Sequence, residues 1–285
     1  MLGSALFRIL PEMGHEVYGS LRQSKQTDFL KKTFTNSQNL IYNIDVLNSD
    51  QLNSLITQIQ PDLIINCIGI IKQLDISNDP IYVLPINSIL PYRLTELATR
   101  VGARLIHIST DCVFDGKKGN YLEIDKPNAE DLYGKSKEIG EIKNKSNVIT
   151  LRISLIGHEL QSNHSLVDWF LSQKNQVSGY KNAIFSGLTS LEMAKVIHHY
   201  IIPNENLYGL YHVSVNPISK YNLLKLIQEI YAVSTTIIPE TNVAIDRSLN
   251  SDKFQKDTGY QPPDWKQLIQ EMKTYYYKYK GINNV

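Results

Sequence analysis

The chain is poor in the residues that announce metal or disulfide chemistry. It has two cysteines, Cys67 and Cys112, far apart and outside any Cys-x-x-Cys or Cys/His ligand spacing. That pattern argues against both a metal site and a disulfide framework. Each borders an apolar run and reads as a buried thiol acting as a small hydrophobe. The neighbours His198 and His199 point different ways on a helix, which disfavours a joint ligand role. The net charge is +1, with no long run of one sign, so neither nucleic acid nor an acidic membrane surface is an expected partner. No apolar run approaches the ~20 residues of a membrane span, and no signal-peptide pattern is present. A reducing cytoplasm is the expected compartment.

What the chain does have is an ordinary globular balance, 42% hydrophobic and 20% charged over 285 residues. That suffices for one large or two modest domains. Short apolar strands alternate with amphipathic helices through the first half. Strands are predicted at Glu16–Ser20, Leu40–Ile44, Asp62–Cys67, Arg104–Ser109 and Val148–Arg152. Helical spacing appears in Leu52, Leu55, Ile56 and Ile59 after Ser49-Asp50, and in Leu94, Leu97, Ala98 and Val101 before Gly102. Such alternation implies an α/β fold, a Rossmann-like doubly wound parallel sheet with ligands at the carboxyl ends of the strands. After Arg152 the rhythm loosens into helical faces around 166–171, 191–200, 223–230 and 265–276, with a short strand at Leu210–Ser214. The tail Tyr275-Tyr276-Tyr277-Lys278-Tyr279-Lys280 reads as the end of an amphipathic helix begun near Trp265. The expected division is a cofactor-binding domain over 1–155 and a smaller substrate lobe over 156–285, with part of 186–215 returning to the first.

The most informative residues are Thr110, Tyr133 and Lys137. Tyr133 and Lys137 are four apart and face the same side of a helix. An ammonium near a phenol is expected to pull its pKa of ~10 toward working pH. Thr110, ending a buried strand, can hold a substrate oxygen. Together they suit proton transfer coupled to hydride transfer at a carbonyl or alcohol.

The front end is short. A dinucleotide fold opens with a strand and a Gly-rich turn into a helix whose N-terminus holds the pyrophosphate. Here Met1-Leu2-Gly3 runs straight into the apolar helix. Gly3 reads as the last glycine of such a turn, the strand and earlier glycines being cut off by a late gene start; the alternative is true loss. Without the central first strand, two strands should lack a neighbour.

These blocks resemble the extended short-chain dehydrogenase/reductase superfamily and, more narrowly, the dTDP-4-dehydrorhamnose reductase family. The matching stretches are Ser109-Thr110-Asp111 through Gly116, Tyr121-Leu122-Glu123, Tyr133-Gly134-Lys135-Ser136-Lys137 with Gly140-Glu141, Leu151–Ser154, Asn66–Gly69, Gly187–Thr189 and Tyr211–Ser214. The resemblance implies NADPH-dependent reduction of the 4-keto group of a nucleotide-linked 6-deoxy hexose, in polysaccharide synthesis. It implies Tyr133 as general acid, Thr110 as donor to the carbonyl oxygen, and Lys137 as the residue that lowers the Tyr133 pKa and binds the nicotinamide ribose. A nucleotide-sugar substrate and a homodimer go with it.

Cofactor choice rests on Arg22. It follows the second strand where an NAD site wants a carboxylate, so a 2′-phosphate and NADPH are expected, with NADH as the alternative. Asp45 and Val46 should flank the adenine. Asn66, Ile68 and Gly69 should line the cleft, although Asn66 reads equally as a strand-end turn residue. Asp111 and Trp169 are the substrate candidates, Trp169 reading also as core. Arg152 is expected either to orient Asp111 or a phosphate, or to form a structural ion pair. Cys112 stands where the family usually has Tyr, and where dehydratases carry Glu, which argues against dehydration. The remaining alternatives are a reductase or epimerase of a UDP-linked sugar, and a non-catalytic subunit resembling the regulatory subunit of methionine adenosyltransferase.

Overall fold

Strands and helices alternate through the first half of the chain, as the apolar periodicity requires. The computed structural model describes residues 1–72, 74–161 and 164–280. In chain order come α1 (Leu2–Glu12), β1 (Gly19–Ser20), α2 (Asp28–Thr33), β2 (Leu40–Ile41), α3 (Ser49–Ile59), β3 (Leu63–Asn66), α4 (Pro80–Leu84), α5 (Leu90–Val101), β4 (Arg104–Thr110), α6 (Leu132–Ile139) and β5 (Val148–Ile153). Then follow β6 (Leu155–Ile156), α7 (Leu166–Ser172), β7 (Gln176–Phe185), β8 (Leu188–Thr189), α8 (Ser190–Val196), β9 (Gly209–His212), β10 (Ile218–Ser219), α9 (Lys220–Tyr231), β11 (Thr236–Asp246), α10 (Asp252–Thr258) and α11 (Trp265–Lys280).

Local chemistry sets these boundaries. Asn48 caps α3, its Oδ1 accepting from the Asp50 and Gln51 amides, which satisfies donors the helix cannot pair itself. Gly102 ends α5 in the left-handed region at φ 72°, a conformation open to glycine at little cost. Ser219 caps α9 through the Asn222 amide, and α11 runs from Trp265 through the tyrosine-rich tail, as its spacing predicts.

The main sheet is parallel, in the order β3-β4-β5-β9. Its register sets Asn66 beside His107, Thr110 beside Ile153, and Arg152 beside His212. Strand β9, from the second half, thus returns to this sheet. The pair β1-β2 forms a separate parallel sheet, with no ladder joining it to β3. The frame therefore divides where the sequence predicts strands without a neighbour. The predicted strand 16–20 shortens to two residues, and the Val17 carbonyl accepts from the Asn39 side chain instead of a ladder.

A second sheet, β10-β7-β11, pairs two long strands in parallel, with a register shift between Glu240 and Ala244. The sequence reading missed both strands. β7 carries Ser178, Lys181 and Asn182, and β11 carries Pro239, Thr241 and Asn242, exposed polar or turn-type residues that blur a period-2 pattern.

Apolar packing centres on β4 and β5. One face meets α1, α8, α9 and α11 through Leu6, Ile9, Ile106, Leu151, Met193, Leu223 and Leu268. The other meets α3 and α5 through Leu52, Ile56, Leu94, Leu97, Leu105 and Val148. Each buried Leu or Ile contributes about 1.5–3 kcal/mol over an exposed one. The strands whose carboxyl ends carry the candidate site are thus among the best anchored. Among the described residues, no helix is long and apolar enough to cross a membrane.

Candidate active site

Thr110 ends β4, and the next three residues form a single 3-10 turn. Its hydroxyl accepts from the Cys112 amide at 3.1 Å and donates to Asp111 Oδ1 at 3.1 Å. Helix α6 is placed against this turn. Asp131 caps it through the Gly134 amide at 2.8 Å and is itself held by Lys72 at 2.8 Å. Gly134 makes the approach: a Cβ there would lie 2.3 Å from the Cys112 carbonyl oxygen and 2.4 Å from the Ala129 Cβ. Gly134→Ala is therefore expected to cost about 1–3 kcal/mol through forced backbone movement, read from the urea midpoint. An unchanged midpoint would contradict this account of the helix position.

Across that contact the Tyr133 phenol neighbours the Thr110 hydroxyl, which acts to lower its pKa against the effect of burial. Lys137, one turn on, is buried and donates from Nζ to the Ile108 carbonyl at 2.7 Å. Its Nζ lies 4.0 Å from where a Gly69 side chain would begin. The structure thus brings Thr110, Asp111, Tyr133, Lys137 and Gly69 together.

One expectation is corrected. Burial pushes the Tyr133 phenol up from its ordinary value, and Lys137 is not among the groups that pull it down. Desolvation of the phenolate is the largest influence, while the Lys137 ammonium donates to the Ile108 carbonyl. Burial also lowers the Lys137 ammonium to about 8, with Glu141 opposing the fall.

The other candidates fall in three places. Gly3, in the first turn of α1, sits beside Cys67 at the end of β3, its virtual Cβ 3.5 Å from the Cys67 Cβ. Burial raises that thiol to about 12. Asn66 acts as a strand-end turn residue: its Oδ1 accepts from the Ile68 amide, and its Nδ2 faces His107 Nδ1 at 3.2 Å. Ile68 is 37% exposed at the edge of the same turn. Arg22 is exposed after β1, Asp45 is engaged with the Leu47 amide, and Val46 packs on the Leu52 cluster. Trp169 is 37% exposed on α7 and makes no hydrogen bond to Thr110, Tyr133 or Lys137.

Arg152 resolves as an ion pair, not as a partner of Asp111. It is fully buried, pairs with both Glu141 oxygens at 2.7 and 2.8 Å, and reaches His212 Nε2 at 3.2 Å. Ser109 donates to the same carboxylate at 2.8 Å. This network ties β4, β5, β9 and the end of α6 together beneath Thr110. His212 is held neutral, its pKa lowered to about 3 by burial and then by Arg152. His107 is pushed well below its ordinary value by burial and by Lys137.

Both histidines regain a pKa near ~6.5 on unfolding. Protons then bind the unfolded chain but not the folded one, so stability is full above that value and falls as pH drops below it. Unfolding at pH 5.5 should take up about two protons from this pair. The urea midpoint followed from pH 7.5 to 5.5 measures it; a midpoint that rises on acidification would contradict the assignment.

Two residues were missed from sequence. Asn87, in the π-helical turn Pro85–Ile89, accepts from the Ile70 amide at 2.8 Å and donates to the Ile70 carbonyl and to Ser136, fixing the Gly69 loop against α6. Arg247 donates to the Phe114 carbonyl at 2.7 Å and lies close enough to Asp111 to stabilise its charge. The only signals were a Pro inside a helical pattern and an isolated arginine far along the chain.

The chain matches the family described as RmlD substrate binding domain over residues 1–277. It is 26% identical over 260 residues to a dTDP-4-dehydrorhamnose reductase of Aggregatibacter actinomycetemcomitans, covering 81% of this chain and 87% of that protein. It is 33% identical over 121 residues to methionine adenosyltransferase 2 subunit beta of Bos taurus, covering 41% and 36%. The fold aligns at a TM-score of 0.73 with the crystal structure of dTDP-4-dehydrorhamnose reductase from Bacillus anthracis in complex with NADP. That likeness is at 22% identity, over 90% of this chain and 97% of the other.

Proposed function

The chain belongs to the RmlD substrate binding domain family, and from that premise we propose an NADPH-dependent reductase of a nucleotide-activated 4-keto-6-deoxy sugar. The observation that carries this reading is the convergence of the Thr110 hydroxyl, the Tyr133 phenol and the buried Lys137 ammonium beside Gly69. The donor set fits a nicotinamide cofactor at that end of the cleft: a cation buried behind a glycine, with a phenol one helical turn away. Gly3, Arg22, Asp45, Val46, Ile68, Gly69 and Lys137 are the residues that would hold it, Arg22 taking a 2′-phosphate. When bound, NADPH supplies the hydride.

The chain's own groups supply the proton. Burial keeps the Tyr133 phenol protonated near neutral pH, which suits a general acid waiting for an oxyanion to develop. Thr110 can donate one hydrogen bond only, now given to Asp111. Turning it to the substrate oxygen stabilises charge that grows as the carbonyl is reduced. The Asp111 carboxyl, raised by burial, keeps Arg247 as a stabilising charge when Thr110 turns away. Lys137 holds the strand end through the Ile108 carbonyl and keeps a positive charge within the pocket.

Residues 1–155 form the cofactor side in this reading, and 156–285 form the sugar-nucleotide side, with 209–212 returning to the main sheet. Trp169 would meet the sugar or base, a reading supported by its partial exposure on α7. The free thiols Cys67 and Cys112 suit a reducing cytoplasm. The experiment is NADPH oxidation with dTDP-4-keto-6-deoxyhexose, compared with a UDP-linked 4-keto sugar. Faster turnover of the dTDP sugar supports the reading. NADPH binding without turnover of either favours a non-catalytic subunit.

A further inference from the structure

A cavity lies against α1, lined by none of the Thr110 cluster. It measures about 320 Å³ and is bounded by α1, α2, the loop 158–160, the start of α8 and the last turns of α11. That volume falls within the range of small-molecule sites. None of the residues assigned above to catalysis or cofactor lines it.

Its chemistry is one-sided. Arg8 projects into it from α1; its Nε is shielded from solvent and has no hydrogen-bond partner among the described residues. The guanidinium stands over the Tyr279 ring at 4.8 Å. Lys32 and Lys280 lie on the rim, and among the described residues neither forms a salt bridge. The one carboxylate in the lining, Glu159, is engaged elsewhere: its Oε2 accepts from the His164 and Ser165 amides at 2.8 and 3.0 Å. The lining therefore carries three cations against one occupied carboxylate. Phe29 and Tyr279 supply aromatic lining, and Tyr276, stacked on His158, closes one side. Burial lowers the Arg8 pKa from its ordinary value, with the Tyr275 and Tyr279 hydroxyls opposing the fall and no carboxylate doing so.

We infer that this cavity is a second ligand site, for a planar aromatic anion whose charged group pairs with Arg8 while its ring lies against Phe29 and Tyr279. An anion there would give the Arg8 Nε a charge-assisted partner. The rings would contribute stacking and apolar contact.

The test is a fluorescence titration of the full chain with 1-anilinonaphthalene-8-sulfonate, alongside its uncharged counterpart N-phenyl-1-naphthylamine. One saturable site is expected for the sulfonate, with the neutral compound about tenfold weaker. Arg8→Leu should weaken the sulfonate about tenfold. The exposed pair Lys32→Gln/Lys280→Gln should weaken it about threefold without disturbing the core, so the test stands even if Arg8→Leu fails to fold. Saturating NADPH should leave the affinity unchanged. Equal binding of the neutral compound, indifference to both sets of substitutions, or displacement by NADPH would each overturn the assignment.

Discussion

Replacing Tyr133 with phenylalanine should lower kcat by about 10²–10⁴-fold, the usual contribution of a positioned general acid. NADPH affinity and the urea midpoint should stay close to those of the parent. The substitution removes the phenolic proton facing the Thr110 hydroxyl, while the ring remains in place to fill its pocket. A shared loss in kcat and kcat/KM is expected, because the proton is needed only as the oxyanion forms. Steady-state rates with cofactor binding measured in parallel give the check. A variant retaining more than about a tenth of the parent kcat would remove Tyr133 from the proton-donor role.

Glu141→Ala should destabilise the fold by about 3–5 kcal/mol, because it leaves the fully buried Arg152 without its counter-charge. The pair is inaccessible on both sides, and the carboxylate also accepts from Ser109. Lys143, half exposed at 3.2 Å from the same carboxylate, loses that partner too but stays in contact with water. Glu141→Leu/Arg152→Met removes both charges at similar volume and should recover most of the loss. Urea unfolding of the single and double variants decides the matter. A double variant as unstable as the single one would show that shape, not charge pairing, governs this site.

The parts of the site that were legible in the sequence are those fixed by local spacing. Tyr133 and Lys137 share a helical face, Thr110 ends an apolar strand, and Gly102 stops a helix; each follows from one element alone. What escaped depends on encounters across the fold. Arg247 reaches Phe114 across 133 residues, and Asn87 reaches Ile70 from a π-helical turn that a Pro-containing helix pattern does not separate from an ordinary helix. The direction of the Tyr133 pKa escaped for another reason. Spacing shows that an ammonium lies one turn away, but it does not show how much water the surrounding residues exclude. The partner of Arg152 stayed open in sequence because Asp111 and Glu141 are both acidic residues of neighbouring blocks. Only the register of β4, β5 and β9 selects Glu141. The strands β7 and β11 were hidden by their polar residues, although Val177, Phe185 and Ile237 join the main core.

The most direct test of the central claim is the fate of a labelled hydride. The chain is mixed with dTDP-4-keto-6-deoxyhexose and NADPH carrying deuterium at the nicotinamide C4, and the sugar is read by NMR. The account predicts deuterium on the sugar C4 of the product and loss of that label in Tyr133→Phe over the same time. Cofactor that binds yet transfers no label to the sugar from the unsubstituted chain would contradict it.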